Sequence, residues 1–201
     1  KFKSIAAFHT RNVPHKGHEW IHKHGLSICD ALMIQPLIGQ FRKNEYKEKI
    51  IIKTNKILTN QIYKSKKIFL EFFNYYPIYA GPREALFHAL TRRNYGCTHF
   101  LVGRDHAGVA NTFGKNYYTK YASQKLCIKY QTSLNIKIID FKEPYFCKIC
   151  NKVLNNCYHE RKKTYKINGT NIRNLIISKK KISEKIMRKK ISKNLSNKSI
   201  I

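Results

Sequence analysis

Residues 8–19 read Phe8-His9-Thr10-Arg11-Asn12-Val13-Pro14-His15-Lys16-Gly17-His18-Glu19. His15 and His18, with the small Gly17 between them, sit where a loop gives way to helix-like sequence. There they can donate hydrogen bonds to phosphate oxygens, while the helix start offers free backbone N–H groups and a favourable dipole. The plainer reading, two surface histidines on a basic protein, stands beside this one, because short motifs often match by chance. Arg11 and Asn12 favour the first. A guanidinium fork suits a tetrahedral oxyanion, and an amide NH2 can bridge two anions. The loop as a whole reads as a cradle for two negatively charged groups held side by side.

A second polar loop, Gly103-Arg104-Asp105-His106-Ala107-Gly108, follows an apolar run directly and has glycines at both ends, which permit close backbone approach. Arg104 and His106 read as anion or nucleotide ligands. For Asp105, an ion pair with a neighbouring arginine that closes the turn is the preferred reading over catalysis. A third constellation, Cys147-x2-Cys150-x6-Cys157-x-His159, has the donor types of a closed tetrahedral Zn²⁺ site, whose role would be structural because no position is left for water. The single residue before His159 is tighter than usual ribbon spacing, and unligated surface thiols are the alternative.

These groups need elements to hold them. Phe2 to Phe8, Ala31 to Leu37, Ile68 to Phe73, Thr98 to Val102 and Ile136 to Phe141 read as buried strands. Helical patterns are expected from His18 to about His24 and from Tyr46 to Tyr63. Another starts at Pro82, with Ala85, Leu86, Ala89 and Leu90 on one stripe, and ends near Asn94 and Gly96. Ile167 to Ile177 reads as a turn and short helix, and Ile182 to Leu195 as an amphipathic helix whose apolar face could serve a subunit contact in a homo-oligomer. Strands alternating with helices imply a mostly parallel sheet with helices on both faces, and ligands bind such sheets beyond the C-terminal strand ends. Both polar loops fall at that edge. The expected organisation is an α/β catalytic domain over 1–142, a zinc-binding insertion over 143–163, and a C-terminal helical segment over 164–201.

The chain has 201 residues, 42% hydrophobic and 12% aromatic, enough for one sizeable core and unlike a disordered tail. Lys and Arg number 40 against 11 Asp and Glu, a formal net charge of +29, which favours polyanions, nucleotides or oxyanions as partners. Lysine runs such as Lys53 to Lys67 and Lys179 to Lys198 are equally read as solvated faces. No stretch nears the roughly 18–20 apolar residues of a membrane span. Three scattered cysteines (Cys29, Cys97, Cys127) and one clustered group fit a reducing, cytoplasmic setting better than a disulfide frame. The chain starts at Lys1 without an initiator Met or an apolar leader, and is read as a fragment lacking an N-terminal part.

With these residues in view, a resemblance emerges. His15-Lys16-Gly17-His18 resembles the HxGH phosphate motif of the nucleotidylyltransferase superfamily, and with Arg11-Asn12 it is similar to the QxRN-xx-HxxH motif of the ATP sulfurylases. Tyr79-Ala80-Gly81-Pro82-Arg83-Glu84-Ala85, Asn94-Tyr95-Gly96-Cys97-Thr98-His99-Phe100 and the Gly103 to Gly108 loop resemble that family's most distinctive block. Ile167-Asn168-Gly169-Thr170-Asn171-Ile172-Arg173 resembles the superfamily's late ISGTxxR signature. The matches occur in family order over nearly the whole chain.

The resemblance implies a Rossmann-like sheet and transfer of the adenylyl group of ATP to sulfate, giving adenylylsulfate and pyrophosphate, reversibly, by in-line attack on the α-phosphate. Arg11 would bind sulfate with His9 and the backbone of Ala107. Thr10 and Asn12 would orient the α-phosphate, and His15 and His18 would stabilise charge on the bridging and pyrophosphate oxygens. Asn12, His15, His18, Gly103, Arg104, Asp105 and His106 would contact the nucleotide. Mg²⁺ would arrive with ATP, and some family members carry a zinc site like the cysteine cluster. The sequence departs from the family at His9, which replaces Gln, and at Pro14, one place later than in many relatives. The family's β-rich N-terminal module is not in this chain, and there is no phosphate loop for a fused adenylylsulfate kinase. The rival readings are another HxGH nucleotidylyltransferase, a basic zinc protein that binds nucleic acid (ranked below the enzyme), and a homologue that has lost activity.

Overall fold

Strand β1 (Ile5–Thr10) alternates its side chains between two layers, as the period of two requires. Ala6 and Phe8 enter one hydrophobic cluster, which also contains Leu32, Ile34 and Leu101. Ala7 enters another with Met33, Phe100 and Val102. A strand buried on both faces belongs in the middle of a parallel sheet. In the computed structural model, which describes residues 1–39 and 43–201, β1 lies between β2 (Ala31–Ile38) and β5 (His99–Val102). The sheet runs β3-β2-β1-β5-β6, all parallel, with β3 at Ile68–Leu70 and β6 at Lys137–Asp140. β4 (Phe73–Asn74) pairs with the far end of β2. Its order reverses between β1 and β5, the switch point at which open α/β sheets hold their ligands.

Helix α1 (Lys16–Leu26), helix α2 (Glu48–Ile57), which runs on as a π-helical segment to Tyr63, and α5 (Gly169–Ile177) supply the first face, with Ile21, Ile51, Leu58, Ile172 and Ile176 in its core. The second face is covered by α3 (Pro82–Asn94) and α4 (Ala122–Leu134) through Ala85, Ala89 and Cys127. The sequence reading missed α4. Its buried residues include Ser123 and Gln124, so no apolar stripe announces it. Gln124 Nε2 donates to Val102 O at 2.7 Å and Phe141 O at 3.0 Å, tying together the chain ends that leave β5 and β6.

Two expectations need correction. In α3 the buried line is Glu84, His88 and Arg92 beside Ala85 and Ala89, whereas Leu90 of the expected apolar stripe is exposed. The Ile182 to Leu195 segment is not one helix: turns lead to a single helical turn, α6 (Lys189–Ser192). Ile182 and Ile191 of the expected stripe nevertheless bury in the first core, while its third member, Ile186, is only partly buried and the neighbouring Met187 is buried in its place. Arg188 clamps this segment to α1 by gripping the Glu19 carboxylate at 2.6–3.0 Å. The cysteine segment forms a small antiparallel sheet, β8-β7-β9, from β7 (Tyr145–Cys147), β8 (Lys152–Leu154) and β9 (Thr164–Lys166). Its third strand comes from just beyond residue 163.

Candidate active site

A cavity of about 230 Å³ opens at the switch point. It is lined by His9, Thr10, Arg11, Asn12 and His18 from the β1 side and by Gly103, Asp105, His106 and Ala107 from the β5 side, so the topology brings the two polar loops together. His15 and Arg104 are not in that lining. A larger hollow of about 1270 Å³ lies by the starts of β5 and β6 and along the edge of β6. It lies at the N-terminal strand ends, opposite the edge at which such sheets hold ligands, so the smaller cavity is the candidate site.

Arg11 Nη1 donates to Glu45 Oε1 and, at 2.7 Å, to the Tyr79 hydroxyl, which itself donates to Glu45 Oε1 at 2.7 Å. The guanidinium is fixed through one nitrogen, leaving Nη2–H and Nε–H to meet an oxyanion. Neither Glu45 nor Tyr79 was foreseen as a site residue; an isolated Glu within polar sequence carries no signal. Thr10 Oγ1 accepts the Asn12 N–H at 3.1 Å, which closes the turn. Asn12 Oδ1 accepts from Arg173 Nη1 at 2.8 Å, so the late Gly169–Arg173 motif docks on the first loop. The approach requires Gly169, since a Cβ there would lie 2.5 Å from Asn12 Oδ1.

His15 caps α1: its Nδ1 accepts the His18 N–H at 3.2 Å, which puts the ring proton on Nε2 in the neutral form. The His15 and His18 rings stack at 3.6 Å, and both are buried, unlike surface histidines. Burial pushes His15 down to about 3 and holds His18 well below the usual imidazole range. Both are therefore neutral donors. The helix start itself offers fewer free amides than the sequence suggested, because Lys16 N–H is already given to Ile186 O at 2.8 Å.

In the second loop, Ala107 adopts a left-handed backbone (φ 54°) and its carbonyl accepts from Gly81 N–H at 2.9 Å. The Ser123 hydroxyl donates to His106 O at 2.8 Å. Arg104 pairs with Glu143 at 3.0 Å instead of with Asp105, whose carboxylate folds over Gly108. Beneath the loop, His9 shares the α3 side of the sheet with His88 and Arg92. Arg92 Nη2 lies 2.5 Å from His9 Nδ1, and His88 Nδ1 lies 2.8 Å from His106 Nε2. Glu84, 3.6 Å from His88 Nε2, accepts backbone N–H from Ile78 and Ala80. Glu84, His88 and Arg92 were missed as site residues. Their spacing of four along one helix is the signal that could have found them.

The sulfurs of Cys147, Cys150 and Cys157 and Nδ1 of His159 approach one another at 2.9–3.6 Å. The four donor atoms lie within 4.8 Å of one another and could together hold a metal ion, with His159 beside the three thiols. The Cys150 N–H also donates to Cys147 Sγ, helping to pull that thiol down to about 6.

The model of the ATP-sulfurylase family matches residues 1–198. The chain belongs to that family. It is 40% identical over 192 residues to a sulfate adenylyltransferase of Pyrococcus abyssi, covering 94% of this chain and 49% of the relative. It is 37% identical over 193 residues to one of Ignicoccus hospitalis, covering 95% and 49% respectively. The chain thus spans about half the length of the curated relatives it matches. Among solved structures, a hexameric APS kinase from Thiobacillus denitrificans superposes with a TM-score of 0.71 over 96% of this chain and 36% of that one, at 14% identity, which is a likeness of fold. Within the ATP-sulfurylase fold, the cavity combines an aimed guanidinium, an oriented amide and neutral imidazole donors. Such a set can hold anions together without supplying a base.

Proposed function

We propose that this chain carries the catalytic half of a sulfate adenylyltransferase, which joins ATP and sulfate to give adenylylsulfate and pyrophosphate and runs in either direction. The observation that carries this reading is the meeting of Arg11, Asn12, His9 and the Ala107 loop around one small cavity at the switch point. The division of labour that fits is a catalytic unit over 1–142, a metal-binding insertion over 143–163, and a 164–201 segment that returns Arg173 to the first loop.

Sulfate is fully ionised at neutral pH and needs no proton removed before it attacks. The barrier is the repulsion between two anions and the need for alignment, which favours positioning and fixed donors over acid–base chemistry. Arg11, fixed by Glu45 and Tyr79, takes the sulfate together with His9 and the Ala107 backbone. Asn12, held through its oxygen by Arg173, keeps its NH2 for the α-phosphate, with the Thr10 hydroxyl beside it. His15 and His18 donate to the bridging and pyrophosphate oxygens as neutral imidazoles. The Gly103 to His106 loop frames the nucleotide, whose Mg²⁺ travels with it. The Cys3His cluster takes Zn²⁺, as its mixed sulfur and nitrogen donors favour. Buried free thiols at Cys29, Cys97 and Cys127 support work in a reducing cytoplasm. Among the described residues no helix is long and apolar enough to cross a membrane.

The test is ATP formation from adenylylsulfate and pyrophosphate, read by luminescence, with Arg11→Ala as control. ATP from the native chain and none from the variant supports the reading. Equal rates from both overturn the site assignment.

A further inference from the structure

Arg92 is completely buried on α3, packed 4.7 Å above the Phe73 ring, and among the described residues no carboxylate pairs with it. Its Nη1 donates to His88 O at 3.3 Å, and its Nε has no hydrogen-bond partner among the described residues. Removing a guanidinium from water without a counter-charge is costly, so such a group needs a compensating use. Its Nη2 donates to His9 Nδ1 at 2.5 Å.

That contact fixes the chemistry of the imidazole. A guanidinium only donates, so His9 Nδ1 must accept. An Nδ1–H tautomer, or a doubly protonated ring, would set two N–H groups head to head. The compatible form is neutral, with the proton on Nε2. Burial, together with the surrounding His88, Arg92, His106 and Arg11, also holds His9 well below the usual imidazole range. One ring nitrogen of each of His9, His88 and His106 lies within 4.8 Å of the others, a spacing that could admit a cation. Arg92 speaks against it. A ligand through Nδ1 would compete with the guanidinium for the same lone pair, and one through Nε2 would require a proton on Nδ1.

We propose that Arg92 is a positioning residue that selects the Nε2–H tautomer of His9, so that a ring lining the cavity presents a hydrogen-bond donor to the oxyanion. The proposal rests on the reading of this cavity as an oxyanion site. His88 and His106 form a separate couple. His88 Nδ1 and His106 Nε2 share a hydrogen bond at 2.8 Å, and His88 Nε2 lies 3.6 Å from Glu84 Oε1, beyond hydrogen-bond range. That couple fixes His106 and leaves His9 to Arg92.

The experiment is ¹⁵N-histidine NMR of the native chain, with the His9 signals assigned by their loss in His9→Gln. The comparison is with Arg92→Met, which fills the space over Phe73 without a donor, and with Arg92→Lys, which restores one. The expected native state is Nε2–H, giving way to Nδ1–H or an averaged mixture in Arg92→Met and returning in Arg92→Lys. Sulfate titration should show affinity weakened roughly tenfold in Arg92→Met, as for loss of one hydrogen bond to a charged ligand, and recovered in Arg92→Lys. A native Nδ1–H or charged His9 overturns the proposal even if Arg92→Met does not fold, as does an unchanged tautomer in a folded Arg92→Met. If the tautomer changes and sulfate affinity does not, this inference alone fails. If the native chain binds no sulfate, the oxyanion reading itself falls.

Discussion

Arg173 and Asn12, 161 positions apart in sequence, are joined by a 2.8 Å hydrogen bond from guanidinium to amide oxygen. With the oxygen engaged, the NH2 is the end of Asn12 that remains for an anion. Arg173→Ala should free the amide to flip and bring its oxygen against the phosphate. The expected result is a fall in turnover of about 10–100-fold, the scale of a misplaced reacting group, with unfolding by urea little changed. Gly169→Ala, whose new Cβ would press on Asn12 Oδ1, should lower turnover in the same direction. Steady-state ATP formation by both variants checks this.

The buried imidazoles set a pH limit on stability. His15, His22 and His106 are each pushed down to about 3 by burial, and His9, His18 and His88 are also lowered by it. In the unfolded chain these groups take up protons near pH 6.5, while the native state keeps them neutral. The unfolded state therefore binds more protons as pH falls, and native stability is full above about 6.5 and lost progressively toward 3. Each such histidine removes about 1.4 kcal/mol per pH unit inside that window. Urea midpoints at pH 8.5, 7.5 and 5.5 should stay level between the first two and then drop steeply. His22→Phe should soften the drop.

The parallel sheet was legible because its strands are short apolar runs separated by turn residues, and the order of polar loops after β1 and β5 pointed to the candidate cavity at the sheet edge. What escaped the sequence reading shares one cause. Glu84, His88, Arg92, Ser123 and Gln124 are polar residues on buried helix faces, so apolar periodicity passes over them. The C-terminal segment failed in the opposite way: Ile182, Met187 and Ile191 are buried from turns and one helical turn, which a helical spacing of isoleucines cannot distinguish from a continuous helix. Glu45 meets Arg11 only through the folded chain, at a separation no local motif spans.

The Cys3His cluster should hold one metal ion per chain by elemental analysis, and Cys157→Ser should abolish it. Loss of the metal leaves the three short strands β7–β9 with little of their own to hold them, since their pairing covers only three residues each. Hydrogen exchange at Val153 and Tyr165 should accelerate sharply in the variant, while amides of β1 and β5 stay protected. Equal protection of β8 and β9 with and without metal would mean that packing of Phe146 in the main core suffices.

Glu19 is buried near the start of α1, and Arg188 reaches it through both Nε and Nη2. The same α1 start carries the His15–His18 pair, and its Lys16 N–H is donated to Ile186 O, two residues before Arg188. The C-terminal segment thus braces the start of α1 by a bidentate ion pair and a backbone bond together. Arg188→Leu keeps much of the side-chain packing but leaves a buried carboxylate with, among the described residues, only Lys16, 3.8 Å away, as counter-charge. Because the guanidinium is partly open to water, the loss should be modest, about 1–3 kcal/mol by urea denaturation. Glu19→Gln removes the stranded charge, so Arg188→Leu combined with Glu19→Gln should recover part of that loss. Additive losses in the double variant would show that the pair does not act as a brace and that each residue contributes through packing alone.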